Sequence, residues 1–267
     1  MKVQANMSEF REYREEDTVV RTLYENQRKK QCVRYVLGMR AKYQKSFGKS
    51  LNFDEVFKLL DEFPDLSDPD MTLPNSHHAI QAASTARKSG APDWMVVTAL
   101  LHDVGKVCAF LFGNDDEGTS VGTQWGLVGD TRVLGRPITE NVPYPDIVPK
   151  DDAVMYLPGC GMERTLRVFG HDDMMAMALE RMVEQGTCLL PDEAIYIVRF
   201  HSCYPHHRYN EYIDLENAKD RRLKPVLQRF NRFDLYSKSE QDMRWSDYSA
   251  IYMPLLTKYF PDGGLDL

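Results

Sequence analysis

The sequence predicts an all-α fold: a helical bundle interrupted by one long irregular region with room for a small hairpin. Three observations carry that prediction. Most of the 267 residues fall in segments where apolar side chains recur at helical spacing. Many glycines and prolines are concentrated between Phe112 and Cys160, where no helical period survives. No internal repeat, heptad run or low-complexity tract competes with a globular reading. With 43% hydrophobic residues the chain can bury one sizeable core, so residues 1–267 are read as one domain.

Taken in order, Glu15 to about Lys45 reads as one helix, with Val19, Val20, Leu23, Cys32, Val33, Val36 and Leu37 as its apolar stripe. Phe53 to Phe63 follows, with Asn52 as N-cap and Pro64 as stop. LSDPDMTLP, Leu66 to Pro74, is rich in Asp and Pro and reads as loop. A helix from Asn75 to Lys88 closes at Gly90. The next opens near Pro92 and carries Trp94, Val96, Val97, Leu100 and Leu101 towards Val104. Residues 113–160 form the irregular region. Within it, Asn114 to Gly122 reads as an acidic, flexible insertion, and Thr123 to Val128 as the candidate hairpin. Helical patterns resume at Glu163–Glu184, Pro191–Tyr204, Leu215–Phe233 and Gln241–Phe260.

The net charge of -7 argues against a nucleic-acid partner, because affinity for a phosphate backbone comes from clustered Lys and Arg. Arg28-Lys29-Lys30 and Arg221-Arg222 read as solvated helix faces. No run of about 18 consecutive apolar residues spans a membrane, and the polar start, Met1 to Tyr13, has no apolar signal core. The expectation is a cytoplasmic monomer. Cys32, Cys108, Cys160, Cys188 and Cys203 are odd in number and widely spaced, which argues for reduced thiols rather than disulfides or a thiolate zinc site.

The chemistry lies in the histidines. His102-Asp103 ends an apolar helical run, and burying an ionisable pair there is costly without a compensating charge. A metal supplies one: imidazole gives nitrogen, and a carboxylate can bridge two ions. Lys106 lies three residues from Asp103 and four from His102, on the same helical face. It can place an ammonium over a metal site or simply pair with Asp103. His78 sits on the preceding helix, which turns back into the His102 helix. His171-Asp172, His201 and Asp234 occupy later helical segments. Together these residues suffice for two metals sharing one carboxylate, and the absence of thiolates suits iron or manganese. A metal-free binding module with a polar histidine core is the plainer alternative.

These residues also match a family. SDPDMTLPNSHHAIQ (Ser67–Gln81), LLHDVGKV (Leu100–Val107), LVGDT (Leu127–Thr131), FGHDDMM (Phe169–Met175), IVRFHSCYPHH (Ile197–His207) and FNRFDLYSK (Phe230–Lys238) resemble the myo-inositol oxygenase family of the HD-domain superfamily. The similarity runs from about Phe10 to Pro261. It implies an HD-domain helical bundle around a mixed-valent Fe(II)/Fe(III) pair. One iron would be held by His78, His102, Asp103 and Asp234, the other by Asp103, His171 and His201. With O2 as co-substrate, the ring of myo-inositol would open to D-glucuronate without an external reductant. Lys106 would stabilise charge on a substrate oxygen. Arg11, Asp65, Ser67, Asp68, Gly129, Asp130, Ser202 and Lys238 match the family's substrate contacts. His77, His206 and His207 are expected outside the ligand set, and the insertion at 114–122 departs from the pattern. An HD-type phosphohydrolase or a diiron oxygenase acting on an organophosphonate would use much the same ligands. A phosphate site would ask for several Arg or Lys, whereas a neutral polyol asks for Asp and Ser.

Overall fold

Six of the seven residues from Met95 to Leu101 are apolar and all seven are buried, so the helix that carries them is hydrophobic on every side and belongs at the centre. In the computed structural model, which describes residues 18–67, 74–127, 130–149, 153–235 and 243–267, this helix is α5, Asp93–Leu101. It is preceded by α1 (Thr18–Lys30), α2 (Val33–Tyr43), α3 (Phe53–Glu62) and α4 (Asn75–Lys88). After it come a 3-10 turn (Val104–Val107), α6 (Cys108–Phe112), a second 3-10 turn (Met162–Arg164), α7 (His171–Glu184) and α8 (Asp192–Phe200). The chain then forms α9 (Tyr204–His207), α10 (Ala218–Leu235) and α11 (Trp245–Tyr259). Helices α4 and α5 pack as an antiparallel pair, with α3, α8, α10 and α11 around them.

One apolar core joins α3, α4, α5, α8, α10 and α11, with Phe57 stacked on Trp245 at 3.9 Å between ring centroids. A second lies between α1, α2 and the irregular region, through Tyr24, Val36, Trp125, Leu127, Tyr144 and Phe169. Burying each such side chain contributes about 1.5–3 kcal/mol. The stretch Asp93–Phe112 is by length and composition apolar enough to cross a membrane, although Asp93, His102, Asp103 and Lys106 interrupt it; 83% of its 18-residue window is buried inside the protein.

Several elements form as expected. The Asn52 side chain accepts from the Glu55 amide while the Glu55 carboxylate accepts from the Asn52 amide, a complete capping box for α3. Gly90, at φ 72°, turns the chain out of α4. All five cysteines are free thiols.

Other elements differ, each for a non-local reason. The single helix expected to Lys45 breaks at Gln31-Cys32. The buried Gln31 side chain donates to the carbonyls of Trp125 and Phe169, both at 3.0 Å, and accepts from the Phe169 amide at 2.6 Å. The expected helix start at Glu163 is only a 3-10 turn. The chain runs extended from Thr165 because Val168 donates to Arg132 and Leu134 to Leu166. Residues 123–127 form turns, and the small sheet lies elsewhere: β1 (Ser50–Asn52) pairs antiparallel with β2 (Gly264–Asp266). Arg28 is not on a solvated face. It is buried, and its guanidinium donates to the carbonyls of Pro143, Tyr144 and Ile147. The insertion is tied down rather than loose: Tyr35 donates to the Glu117 carbonyl, Lys42 pairs with the Glu117 carboxylate, and Thr119 is buried.

Candidate metal centre

Five helix ends converge on one buried site. His102 and His201 stand just past the last turns of α5 and α8, Asp234 in the last turn of α10, His171 at the start of α7 and His78 in the first turn of α4. Every residue of Met95–Leu101 and Ala194–Phe200 is buried, which buries α5 and α8 up to their ends and carries the polar residue that follows each into the interior.

The backbone sets how the rings face. His102 Nδ1 donates to the Ala99 carbonyl at 2.9 Å, and His201 Nδ1 to the Val198 carbonyl at 2.8 Å, each three residues back. His171 Nδ1 donates to the Leu127 carbonyl at 3.0 Å. With those protons spent, the Nε2 lone pairs of all three rings point inward. His171 Nε2 and His201 Nε2 are 3.2 Å apart. Two neutral rings so arranged place lone pair against lone pair, an arrangement that a cation between them relieves.

Asp103 faces two ways. Its Oδ1 lies 3.1 Å from His171 Nε2 and 3.4 Å from His201 Nε2, while its Oδ2 lies 3.7 Å from His102 Nε2. Asp234 Oδ1 lies 2.8 Å from His78 Nε2 and 3.6 Å from His102 Nε2. Two groups result, each with donor atoms within 4.8 Å of one another: His78, His102 and Asp103, and Asp103, His171 and His201. Asp234 adjoins the first group. The donors are buried imidazole nitrogens and carboxylate oxygens without thiolate, a set that fits a pair of iron or manganese ions.

Without a cation between them, these groups polarise one another strongly. Burial would raise the Asp103 carboxyl, but Lys106, His102, His171 and His201 hold it well below the usual carboxylate range. Asp234 is likewise held low against its burial by His102 and His78. Burial depresses His201, whereas His102 is raised against its burial by Asp103 and Asp234. The carboxylates are therefore charged as ligands.

Lys106 pairs with Asp103, beside the candidate ligands. Its ammonium donates to Asp65 Oδ2 at 2.6 Å, Asp103 Oδ2 at 2.8 Å and Asn75 Oδ1 at 3.0 Å. Asp65 Oδ1 accepts in turn from the amide and hydroxyl of Ser67. Ser202 follows His201 directly and is linked to Thr131, the neighbour of Asp130, by Thr131 N donating to the Ser202 carbonyl at 3.0 Å. Asp65 and Ser67 thus adjoin Lys106; the Ser202 hydroxyl donates to Asp172, and the Asp130 amide donates to the Tyr24 hydroxyl. Arg11, Asp68, Gly129 and Lys238 lie outside the described residues. His77, His206 and His207 are buried outside the ligand set: His77 Nδ1 accepts from the Met243 amide, His206 bonds Glu216, and His207 donates to the His201 carbonyl.

Two residues escaped the sequence reading. Asn75 holds Lys106 from one side and donates to the Phe63 carbonyl from the other. A Cβ on Gly105 would meet the His171 carbonyl oxygen at 2.0 Å, so only glycine lets the Lys106 turn approach α7. The glycine inside HDVGK was the available signal.

Comparison with known proteins shows which family the chain resembles. The family model described as Myo-inositol oxygenase matches residues 17–266. Inositol oxygenase of Bos taurus is 37% identical over 243 residues, covering 86% of this chain and 81% of the relative. Inositol oxygenase 5 of Arabidopsis thaliana is 35% identical over 270 residues, covering 95% and 82%. Inositol oxygenase of Danio rerio is 35% identical over 224 residues, covering 79% and 76%.

Proposed function

The chain belongs to the myo-inositol oxygenase family, and from that premise we propose that it opens the ring of myo-inositol with O2 to give D-glucuronate. The overall change balances as one inositol and one O2 giving one glucuronate, one proton and one water. The observation that carries the reading is the two-way Asp103 carboxylate, with one oxygen towards His171 and His201 and the other towards His102. His78, His102, Asp103 and Asp234 would hold one iron, and Asp103, His171 and His201 the other. Iron bound there supplies Lewis acidity that acidifies a coordinated hydroxyl and a redox centre for using O2.

The protein's own groups do the rest. Lys106 has all three N–H groups engaged, so it meets a substrate oxygen by exchanging one of its present acceptors. Asp65 is the acceptor that can leave, because the Ser67 amide and hydroxyl keep it hydrogen-bonded. Once exchanged, Asp65 can accept a hydroxyl proton while the ammonium stabilises negative charge on the neighbouring oxygen. Asp130 and Ser202 would add further polar groups for the hydroxyls. Phe230, edge-on to His102 at 5.5 Å, helps to keep water from the ligands.

The test is metal analysis combined with oxygen uptake on iron-loaded, partly reduced protein given myo-inositol. About two irons per chain and one O2 consumed per glucuronate are expected. Iron without glucuronate would refute the substrate, and protein purified without capacity for metal would refute the site.

A further inference from the structure

A cavity of about 240 Å³ lies between the irregular region and α9. One wall is the 140–145 stretch, with Glu140, Asn141 and Tyr144; the other is Tyr204 of α9 with Arg208 and Tyr209 just beyond it. Asp130 also lies in the lining. The first wall is held from behind at both ends. Glu211 accepts from Asn141 Nδ2 at 2.6 Å and from the Thr139 hydroxyl. The buried Arg28 guanidinium donates to the carbonyls of Pro143, Tyr144 and Ile147. Between these anchors Tyr144 keeps a left-handed backbone, φ 48°, which a bulky residue rarely adopts. Such conformations persist where the surroundings over-determine them, and they cluster at ligand sites. The wall is therefore preformed.

Its chemistry selects an occupant. Two carboxylates, Asp130 and Glu140, stand against one guanidinium, Arg208, so a phosphate or carboxylate is disfavoured. Tyr144, Tyr204 and Tyr209 each present an apolar ring with a polar tip. Aromatic carbon with a few polar groups suits a neutral hydroxylated ring, whose C–H faces pack on the tyrosines and whose hydroxyls meet the polar atoms. The volume is below the roughly 300–1,000 Å³ of sites for drug-sized ligands, so the occupant is a single sugar ring.

Asp130 links this cavity to the candidate centre. Its neighbour Thr131 donates through the amide to the Ser202 carbonyl at 3.0 Å, and Ser202 follows His201. A carboxylate accepts at both of its oxygens, and groups bonded to the two are close enough to be joined by one glycosidic link.

We propose that the cavity is a subsite for a sugar carried on a hydroxyl of the ring substrate, so that O-glycosylated inositols are substrates beside free inositol. The proposal rests on the proposed function and on Asp130 as a contact to the inositol ring. The bond changes are those of the parent reaction, with the sugar on a hydroxyl away from the carbon–carbon bond that breaks. One glycosyl-inositol and one O2 give one glycosyl-glucuronate, one proton and one water, and the glycosidic bond stays intact. Tyr209 packs on the sugar, and Glu140 accepts from its hydroxyls.

The test uses the full, iron-loaded chain with myo-inositol and with the six mono-O-glucosyl-myo-inositols, one for each ring hydroxyl. Oxygen uptake gives kcat/KM, and mass spectrometry identifies the glucosyl-glucuronate. At least one isomer is expected to react. Its kcat/KM divided by that of myo-inositol is expected to fall roughly tenfold in Tyr209→Ala and in Glu140→Gln, the scale of one lost contact. Both side chains are exposed, so both variants are expected to fold. A merely structural role would lower the two kcat/KM values together and leave their ratio as it was, and that result in both variants overturns the proposal. Turnover of myo-inositol with none of the six isomers reacting overturns it alone. Turnover of neither overturns the proposed function and this proposal with it.

Discussion

Replacing Lys106 by methionine removes one ammonium and keeps most of the side-chain volume. The ammonium is buried between two carboxylates, Asp65 and Asp103, with Asn75 completing its shell. In the metal-free protein the substitution leaves two buried carboxylates without their cation, and breaking a buried pair from one side costs about 3–5 kcal/mol. With iron bound, Asp103 is neutralised as a ligand, and only Asp65 loses its partner while keeping Ser67. The cost should then fall to about 1–2 kcal/mol, that of one unmet hydrogen bond. At roughly 2–4 °C per kcal/mol for a chain of this size, K106M is expected to lower the unfolding midpoint by about 10 °C without iron and by less than about 5 °C with it. Thermal unfolding followed by circular dichroism, on metal-free and anaerobically iron-loaded protein, measures both. Equal losses in the two states would refute the argument that Lys106 and the metal share the Asp103 charge. On the reading proposed above, kcat/KM should also fall by roughly 100- to 1000-fold, the size expected when a donor to developing charge is lost.

Asp103→Ala is expected to abolish binding of both metals, measured as iron per chain after gel filtration; stoichiometric iron in that variant would end the bridging role. Gly105→Ala forces its Cβ against the His171 carbonyl oxygen, so the iron at the His171–His201 half should be lost first, at a stability cost of about 3 kcal/mol or more. Burial, and after it the Lys224 charge, pushes the His206 pKa down to about 3 from an ordinary 6.5. The unfolded chain takes up that proton near pH 6.5 and the folded chain does not, so stability is full above pH 6.5 and falls as pH drops towards 3. At pH 5 the loss is about 2 kcal/mol. His206→Gln should flatten the fall between pH 7 and pH 5 in urea midpoints, and an unchanged slope would remove His206 from the acid sensitivity.

The candidate ligands that the fold brings together were legible because each sits near the end of an element with strong local character. Leu100-Leu101 before His102 and Ile197 to Phe200 before His201 mark apolar helices that end on a polar residue, a pattern with few bland explanations. The capping box at Asn52 and the turn at Gly90 were readable for the same reason: the residues that form them are neighbours in the chain. What escaped was set by distant partners. The α1–α2 break depends on Gln31 meeting Trp125 and Phe169, and the burial of Arg28 on carbonyls at Pro143, Tyr144 and Ile147. The β1–β2 pair joins segments far apart in sequence, Ser50–Asn52 and Gly264–Asp266. None of these partners lies in a window where period or composition could reveal it, and a basic triplet such as Arg28-Lys29-Lys30 looks solvated until a carbonyl cluster is found beneath it.

The same geometry bears on the phosphohydrolase alternative. A phosphate ester is held where helix N-terminal amides are free and where several cations face the ligand. Two helix N-termini reach this centre, that of α4, which carries Asn75 and His78, and that of α7, whose amides are spent within the chain. His171 N donates to the Leu127 carbonyl at 2.5 Å, Asp173 N to the Asp172 carboxylate and Met174 N to the Gly170 carbonyl. The acids Asp172 and Asp173 further offset the positive end of that helix. Helices α5, α8 and α10 instead present their C-terminal ends, which favour cations and disfavour phosphate. Lys106 is already matched by Asp65 and Asp103. A substrate that approaches such a centre does best without charge and with hydroxyl protons to give, because the groups waiting for it are carboxylates and a serine. That requirement suits a polyol, in line with the family to which the chain belongs.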